Sequence, residues 1–162
     1  MGRCEGLTSS MKNMQAHAFQ VIPHVGVGPV RLGMSRQETR QAMASFGEMQ
    51  QGRNAQEEDY LSRNFRVAFD SADTVEFIEL SAGGTVAAVY KGTNLFELSA
   101  AEAVKWISQD ATPAPETEGG HTYTFPDLEL SLWRSQVSSA RRREGWSFQT
   151  VALAKPGYFN GA

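Results

Sequence analysis

Cysteine is almost missing from this sequence of 162 residues, since Cys4 is the only one. A chain with one cysteine can form no internal disulfide and can assemble no cluster of thiolates around a metal. Histidine is also scarce: there are three, and no two of them are spaced to share one turn of a helix. The sequence therefore predicts neither a metal site nor a cofactor, and it favours a reducing compartment, the cytoplasm.

Long apolar runs and an excess of positive charge are missing as well. No stretch of about eighteen apolar residues is present, so no membrane-spanning helix is predicted. The first twenty residues do not contain the apolar core of a secretory signal. The formal net charge of −3 gives no broad positive field for nucleic acid or an anionic membrane. The one basic run, Arg141-Arg142-Arg143, is followed by Glu144 and is interpreted as a solvated loop.

Motifs for catalysis are not found either. No serine stands in a G-x-S-x-G turn, the arrangement that exposes a nucleophile at the end of a strand. Gly26-Val27-Gly28 resembles the start of a dinucleotide fingerprint, but Pro29 follows it and the third glycine is missing. We therefore predict that the protein has no catalytic residues and is not an enzyme.

What the sequence does contain is a weak internal repeat. Residues 28–38 align with residues 92–102 at an offset of 64, which places Gly on Gly, Ser35 on Ser99 and Glu38 on Glu102. In each copy the serine can cap a helix, while the glutamate three residues later reaches back to the cap amide. Two helices of about three turns are predicted, and Gly47 marks the end of the first.

Segments rich in β-branched and aromatic residues follow each predicted helix. Alternation in Phe65–Phe69 indicates a strand with one buried face. Gly83-Gly84 suits a hairpin turn, and the change of apolar face between Phe77 and Ile78 indicates a bulge or burial on both faces. The predicted strands are 65–69, 75–80 and 86–90 in the first half and 121–125, 128–133 and 146–153 in the second, with an opening strand at 19–25 pairing at an edge.

These segments predict an α+β fold made of a tandem pair of α-β-β-β units, with an antiparallel sheet and the helices packed on one face. Residues 1–18 show no usable periodicity and are predicted to be a disordered tail or a segment foreign to the natural protein. Residues 19–162 are predicted to form a single domain, with one half at about 19–90 and the other at about 91–160.

Two polar segments are candidate contacts for a partner. If Leu128, Leu130 and Leu132 face the core, the residues between them share the opposite face, and an exposed tryptophan beside an arginine is typical of a binding hot spot. Residues 57–60 lie in a polar linker that we interpret as a solvated loop able to steer a basic partner. The predicted partner-binding residues are Trp133, Arg134, Glu129, Glu57, Glu58, Asp59 and Tyr60.

Residues 28–38, Gly-Pro-Val-Arg-Leu-Gly-Met-Ser-Arg-Gln-Glu, resemble the opening of small bacterial domains of the β-lactamase-inhibitor-protein-like group, in which a Gly-Met-Ser/Thr segment enters a capped helix. This resemblance implies a duplicated helix-plus-sheet fold that works by protein–protein contact and has no catalytic residues. The chain is also similar in character to the immunity proteins that bacteria make against polymorphic toxins.

The leading hypothesis is a non-catalytic protein-binding module, an inhibitor or immunity-type protein whose partner is a toxin or an enzyme. The alternative is a protein that binds a small molecule or lipid, or an enzyme with an unrecognised site, using a pocket between helices and sheet lined by Phe65, Phe69, Tyr90 and Trp146. A homo-oligomer formed through a sheet edge is also compatible with the pattern.

Overall fold

The computed structural model describes residues 17–116, 118–137 and 146–159. Within these residues the chain has two α-helices and twelve strands in two sheets, which confirms the predicted α+β class. The helices are α1 (Arg36–Met43) and α2 (Ala100–Ser108). The strands are β1 (His17–Ile22), β2 (Gly26–Val27), β3 (Val30–Arg31), β4 (Gln50–Gln51), β5 (Glu57–Tyr60), β6 (Phe65–Phe69), β7 (Val75–Ser81), β8 (Val86–Tyr90), β9 (Thr93–Asn94), β10 (Thr122–Phe125), β11 (Leu130–Trp133) and β12 (Thr150–Ala154).

The larger sheet has seven antiparallel strands in the order β10-β11-β12-β7-β6-β5-β4. Two meanders of three strands form most of it, β5-β6-β7 after α1 and β10-β11-β12 after α2. They join through their third strands, where Leu153 of β12 lies opposite Ile78 of β7. The tandem pair of α-β-β-β units is therefore visible in the order of strands across one continuous sheet.

The smaller sheet has the order β3-β2-β1-β8-β9, and it corrects three predictions. β1 pairs in parallel with β8 and lies in the middle of this sheet, not at an edge. β8 was predicted to follow β6 and β7 in the first meander, but that meander consists of β5, β6 and β7, and β8 lies in the smaller sheet. The predicted hairpin at Gly83-Gly84 is wrong because β7 and β8 belong to different sheets, although Gly84 does have a positive φ of 84°. β1 also begins at His17, inside the predicted tail.

Both helices begin at the serines that the repeat predicts. The Ser35 Oγ accepts from the Glu38 amide at 3.1 Å, and the Glu38 carboxylate accepts from the Ser35 amide at 3.0 Å. Ser99 and Glu102 form the same two hydrogen bonds at the same distances. Two complete capping boxes are therefore present. After α1 one turn of 3₁₀-helix leads to Gly47, whose φ of 109° suits a residue without a side chain.

One hydrophobic core lies between the two sheets and the helices. The inner face of the large sheet supplies alternate residues of β6, β7, β11 and β12, all fully buried, and Phe65 meets Phe19 of β1 with ring centroids 5.0 Å apart. Met43 of α1 and Ile107 of α2 enter the same core. The helices therefore cover the inner face of the large sheet, as predicted.

A β-bulge in β7 explains the change of face seen in the sequence. Ala68 lies opposite Phe77, whereas the next residue, Phe69, lies opposite Val75, so one extra residue of β7 is inserted between the pairs. Val75 and Ile78 are therefore both buried although they are three residues apart. No helix among the described residues is long and apolar enough to cross a membrane.

Candidate binding face

One row of side chains crosses the outer face of the large sheet, the face opposite the helices. Residues directly opposite in antiparallel strands project to the same side, so the register defines the row. The side chains of the row on β10, β11 and β12 are small and uncharged, whereas those on β7, β6 and β5 are charged. From β10 to β4 the row consists of Thr124, Ser131, Ala152, Glu79, Arg66, Asp59 and Gln50.

Neither of the two described helices lies on this outer face. Arg36 of α1 lies over the Phe69 ring of the inner face, and Arg36 and Arg40 both bond to Glu58. Ile107 of α2 is buried in the core on the same side. The described part of the C-terminal segment, residues 155–159, covers one corner, where Tyr158 stacks on Phe77 with centroids 5.2 Å apart. The remainder of the row lies at least partly open to solvent at Thr124, Ser131, Glu79 and Arg66.

Trp133 is the exposed aromatic residue of this face. It ends β11, with 41% of its surface exposed, and its neighbours across the sheet are Thr122 and Thr150. Both neighbours are smaller than an indole, so the ring stands above the surrounding surface. Leu130 and Leu132 are buried on the opposite face, as the alternation predicts. Trp133 is therefore an exposed aromatic ring, the kind of residue that anchors protein interfaces.

Glu79 lies near the middle of the face and forms no ion pair with another described residue. Its two cross-strand neighbours are Ala152 and Arg66. Arg66 turns away from it to bind Asp59, with Nε 2.8 Å from Oδ1. Among the described residues no group hydrogen-bonds to the Glu79 carboxylate. Burial raises the pKa of Glu79, and the nearby positive charges of Arg66 and Arg53 only partly offset this.

The acidic segment predicted to be a solvated loop is the buried strand β5, so that prediction was wrong. Glu57 and Asp59 project to the outer face with exposures of 7% and 0%. Arg53 binds Glu57, with Nη2 2.7 Å from Oε2. Arg63 and Arg66 bind Asp59 at 2.9 and 2.8 Å. Because each carboxylate is already paired with arginine, the ion pairs offset the desolvation cost of burial. Little net charge therefore remains to steer a partner.

Glu58 and Tyr60 project to the inner face, under α1. Glu58 accepts hydrogen bonds from Arg36 and Arg40, and the Tyr60 hydroxyl lies 3.4 Å from it. Burial alone would raise the pKa of Glu58, but the bonds from Arg40 and Arg36 outweigh it and the pKa is lowered. Burial raises the pKa of Tyr60 to about 12. These two predicted contacts therefore fasten α1 to the sheet.

The other two predicted contact residues, Arg134 and Glu129, are also buried. Arg134 donates from Nε to the Gly120 carbonyl at 2.8 Å and lies over the Phe148 ring. Glu129 has a left-handed backbone, with φ of 49°, and accepts from the amides of Gly157 and Phe159. Both hold neighbouring segments in place. Of the seven predicted contact residues, Trp133 alone is exposed.

The predicted interior pocket is not formed by its proposed lining. Phe65, Phe69 and Tyr90 are 0–2% exposed and pack in the core, whereas Trp146 is 42% exposed and lies apart from them. Two further sequence features, Cys4 and Arg141-Arg142-Arg143, lie outside the described residues. In the described part of the chain no three His, Cys, Asp or Glu side chains are grouped to hold a metal ion.

Comparisons of the chain with protein-family models, with curated proteins and with solved structures each find no match. The resemblance to the β-lactamase-inhibitor-protein-like group therefore stays a prediction. On the outer face, Glu79 is a candidate contact residue that is not among the seven predicted from the sequence. The sequence pattern that could have identified Glu79 is its place between Ile78 and Leu80. Because these two neighbours are buried, the carboxylate must project to the other face of the strand.

Proposed function

We propose that the protein is a non-catalytic binding module, an inhibitor or immunity-type protein, which docks another protein onto the outer face of its seven-stranded sheet. The observation that carries the proposal is that one face combines the protruding Trp133 ring with the Glu79 carboxylate, which forms no ion pair with any described residue. Neither feature is needed by the core, which lies on the opposite face.

The shape of the face supports contact with a protein rather than a small ligand. Adjacent strands are about 4.8 Å apart, so the row from Thr124 to Gln50 extends for about 29 Å, the scale of a standard protein interface. A wide polar face with one large aromatic side chain is the composition of a hot spot surrounded by weaker contacts.

The charges of the face favour a basic side chain in the partner. Asp59 and Glu57 are paired with arginines of this chain, whereas no arginine or lysine in the described part of the chain is paired with Glu79. A lysine or arginine docked over Ala152 would reach the Glu79 carboxylate, and a partner that excludes water would strengthen this ion pair. The small side chains of Ala152 and Ser131 leave room for it beside Glu79.

The test is affinity capture from the lysate of the host organism, with the full chain as bait and two variants of the face. We expect the wild type to retain one protein in a stoichiometric complex. Trp133→Ala should weaken that complex about 30-fold or more, the loss typical of a tryptophan hot spot. Glu79→Gln should weaken it about tenfold, since a charge-assisted hydrogen bond is removed.

Trp146→Ala is the matched control, because Trp146 is 42% exposed but lies outside the row. It should retain the partner as the wild type does. Retention of the partner by Trp133→Ala and Glu79→Gln at wild-type affinity would overturn the proposed face. Failure to retain any stoichiometric protein would overturn the function as a binding module.

A further inference from the structure

Residues 155–159 form a turn that lies against the outer face of the large sheet. The Tyr158 amide donates to the Lys155 carbonyl at 3.1 Å, and Gly157 between them has a φ of 85°. The order Lys-Pro-Gly-Tyr is typical of a type II turn, which favours proline at its second position and glycine with a positive φ at its third. The turn therefore brings its two ends, Lys155 and Tyr158, close together on the sheet.

The two ends of the turn contact the sheet through an aromatic stack and an ion pair. The Tyr158 ring stacks on Phe77 with centroids 5.2 Å apart and an interplanar angle of 30°. The Lys155 Nζ lies 3.3 Å from Asp70 Oδ2 and 3.5 Å from Glu76 Oε2. This part of the face therefore accepts one cation and one aromatic ring that are three residues apart in sequence.

The backbone of the turn is bound by the carboxylate of Glu129, a residue that is only 4% exposed. Its two oxygens accept from the amides of Gly157 and Phe159 at 2.7 and 3.3 Å. Backbone amides are present in every chain, so these charge-assisted bonds recognise the path of a segment and not its side chains. A segment of another chain that adopts the same turn can make the same two bonds.

The Tyr158 ring also lies within reach of the charged part of the row. Burial raises the pKa of its hydroxyl, and the carboxylates of Glu76, Glu57 and Glu79 raise it further. Glu57 and Glu79 belong to β5 and β7, and both project to the outer face. A partner that docks on this part of the face therefore meets residues 155–159.

Residues 155–159 are more exposed than the strand that precedes them. Residues 151–154 are 0–5% exposed, whereas Pro156, Gly157 and Tyr158 are exposed, Tyr158 at 37%. Segments with little buried surface open locally, without unfolding of the whole domain. Opening separates Tyr158 from the Phe77 ring, and an aromatic side chain of another chain can restore the stack.

We propose that residues 155–159 are an intramolecular ligand of the outer face, which is displaced by a segment of the docked partner that carries a lysine or arginine and, three residues later, an aromatic residue. This inference rests on the proposed function, because the displacing segment belongs to the protein that the face docks. Phe77 then joins Trp133 as a second aromatic anchor of the interface.

The contacts in the structure also set the affinity to expect. A tethered segment remains bound only if its Kd as a free peptide is below its effective concentration, which is on the order of millimolar for a short linker. The blocked peptide acetyl-Lys-Pro-Gly-Tyr-Phe-amide should therefore bind to an emptied site with a Kd of about 1 mM or lower.

The test is a titration of the full chain with this peptide, followed by the NMR signals of the Phe77 and Glu129 amides. Gly157→Pro opens the turn, because proline has no N–H to donate to Glu129 and cannot adopt a φ of 85°. We expect saturable binding to Gly157→Pro and at least about tenfold weaker binding to the wild type, whose own segment occupies the site.

Further variants locate the peptide and guard against misfolding. Tyr158→Ala, a second way to empty the aromatic position, should bind the peptide with an intermediate affinity. Pro156→Ala keeps the amide that binds Glu129 and should behave as the wild type. A peptide with alanine in place of tyrosine should bind Gly157→Pro at least about tenfold more weakly. Absence of saturable binding to both Gly157→Pro and Tyr158→Ala, or equal affinity of the two peptides, would overturn the proposal.

The titration and the capture from lysate fail independently. In the capture experiment Gly157→Pro should bind the partner at least about threefold more tightly than the wild type, because the competing segment is removed. A partner that is retained through Trp133 but binds Gly157→Pro no more tightly would overturn the displacement alone. Peptide binding without any captured partner would overturn the docking function and leave the peptide site standing.

Discussion

Arg66 and Glu79 lie directly opposite each other on adjacent strands, but they form no ion pair: the Arg66 guanidinium binds Asp59 instead. Asp59 is fully buried and also receives a bond from Arg63. A buried carboxylate without cations would be far more costly than a partly exposed one. The Arg66 guanidinium therefore compensates the charge of Asp59, and the Glu79 carboxylate receives no hydrogen bond from the described residues.

We expect Glu79→Gln to stabilise the free protein. Burial raises the pKa of Glu79, so the ionised form is less favourable in the folded state than in the unfolded chain. At pH 7 the substitution should raise the free energy of unfolding by about 1 kcal/mol, the usual size of a single stabilising substitution. Urea denaturation measures the difference.

The pH dependence of this gain has a definite sign. The folded pKa of Glu79 is above the unfolded value of about 4.3. Below the unfolded value the carboxyl is protonated in both states, so it does not destabilise the wild type. The destabilisation appears as the pH rises through the folded pKa and the carboxyl ionises. The gain from Glu79→Gln should therefore be present at pH 8 and vanish at about pH 4. A gain that is equal at both pH values would contradict a titrating carboxylate.

Glu58→Gln should destabilise the protein by about 2 kcal/mol at pH 7, because it weakens the charge-assisted bonds that tie α1 to β5. The folded pKa of Glu58 is lowered, so its contribution is present above the unfolded pKa and is lost as the pH falls through the folded one. The difference between variant and wild type should therefore shrink below about pH 4.

The control for this variant is Glu48→Gln, at an exposed carboxylate just after the end of α1. It should change the free energy of unfolding by less than about 0.5 kcal/mol, as surface substitutions usually do. Equal effects of Glu48→Gln and Glu58→Gln in urea denaturation at pH 7 would show that the α1 ion cluster contributes nothing to stability.

The helices of this fold could be predicted from the sequence because their signals are local. Ser35 and Glu38 are three residues apart, and the capping box that they form needs no other part of the chain. The alternation in Phe65–Phe69 is equally local, since it reports one strand with one buried face. The side on which the helices pack also follows from these patterns, but the number of strands does not, since seven are predicted and the described residues contain twelve.

Strand β5 and the central place of β1 could not be predicted in this way. Glu57, Glu58 and Asp59 are poor strand residues by propensity, and what buries them is a set of arginines drawn from both sides of the segment, including Arg36 and Arg66. The parallel pairing of β1 with β8 joins residues about seventy positions apart. The lack of an ion pair at Glu79 could not be predicted either, because it depends on which carboxylate the Arg66 guanidinium binds.

The two capping boxes give a matched pair of substitutions. Ser35→Ala and Ser99→Ala each remove a hydrogen bond to a first-turn amide at 3.1 Å, so each should lower the free energy of unfolding by about 1 kcal/mol. Ser71→Ala, in an exposed turn, should have almost no effect. Chemical denaturation of the three variants checks this, and a loss at Ser35 without one at Ser99 would contradict the equivalence of the halves.

Glu129 provides a last prediction, since it fastens the C-terminal segment to the turn between β10 and β11. Its carboxylate accepts from the Gly157 amide at 2.7 Å and from the Phe159 amide at 3.3 Å. Glu129→Ala removes both bonds and should cost about 2 kcal/mol, whereas Glu129→Gln keeps one acceptor oxygen and should cost less.

Hydrogen exchange of the Gly157 amide gives this prediction a local readout. Exchange should be fastest in Glu129→Ala and intermediate in Glu129→Gln, because the amide loses its acceptor in the first and a weaker one remains in the second. Release of this segment would also unstack Tyr158 from Phe77 and enlarge the uncovered part of the outer face. Wild-type exchange in Glu129→Ala would mean that ring stacking alone holds the segment in place.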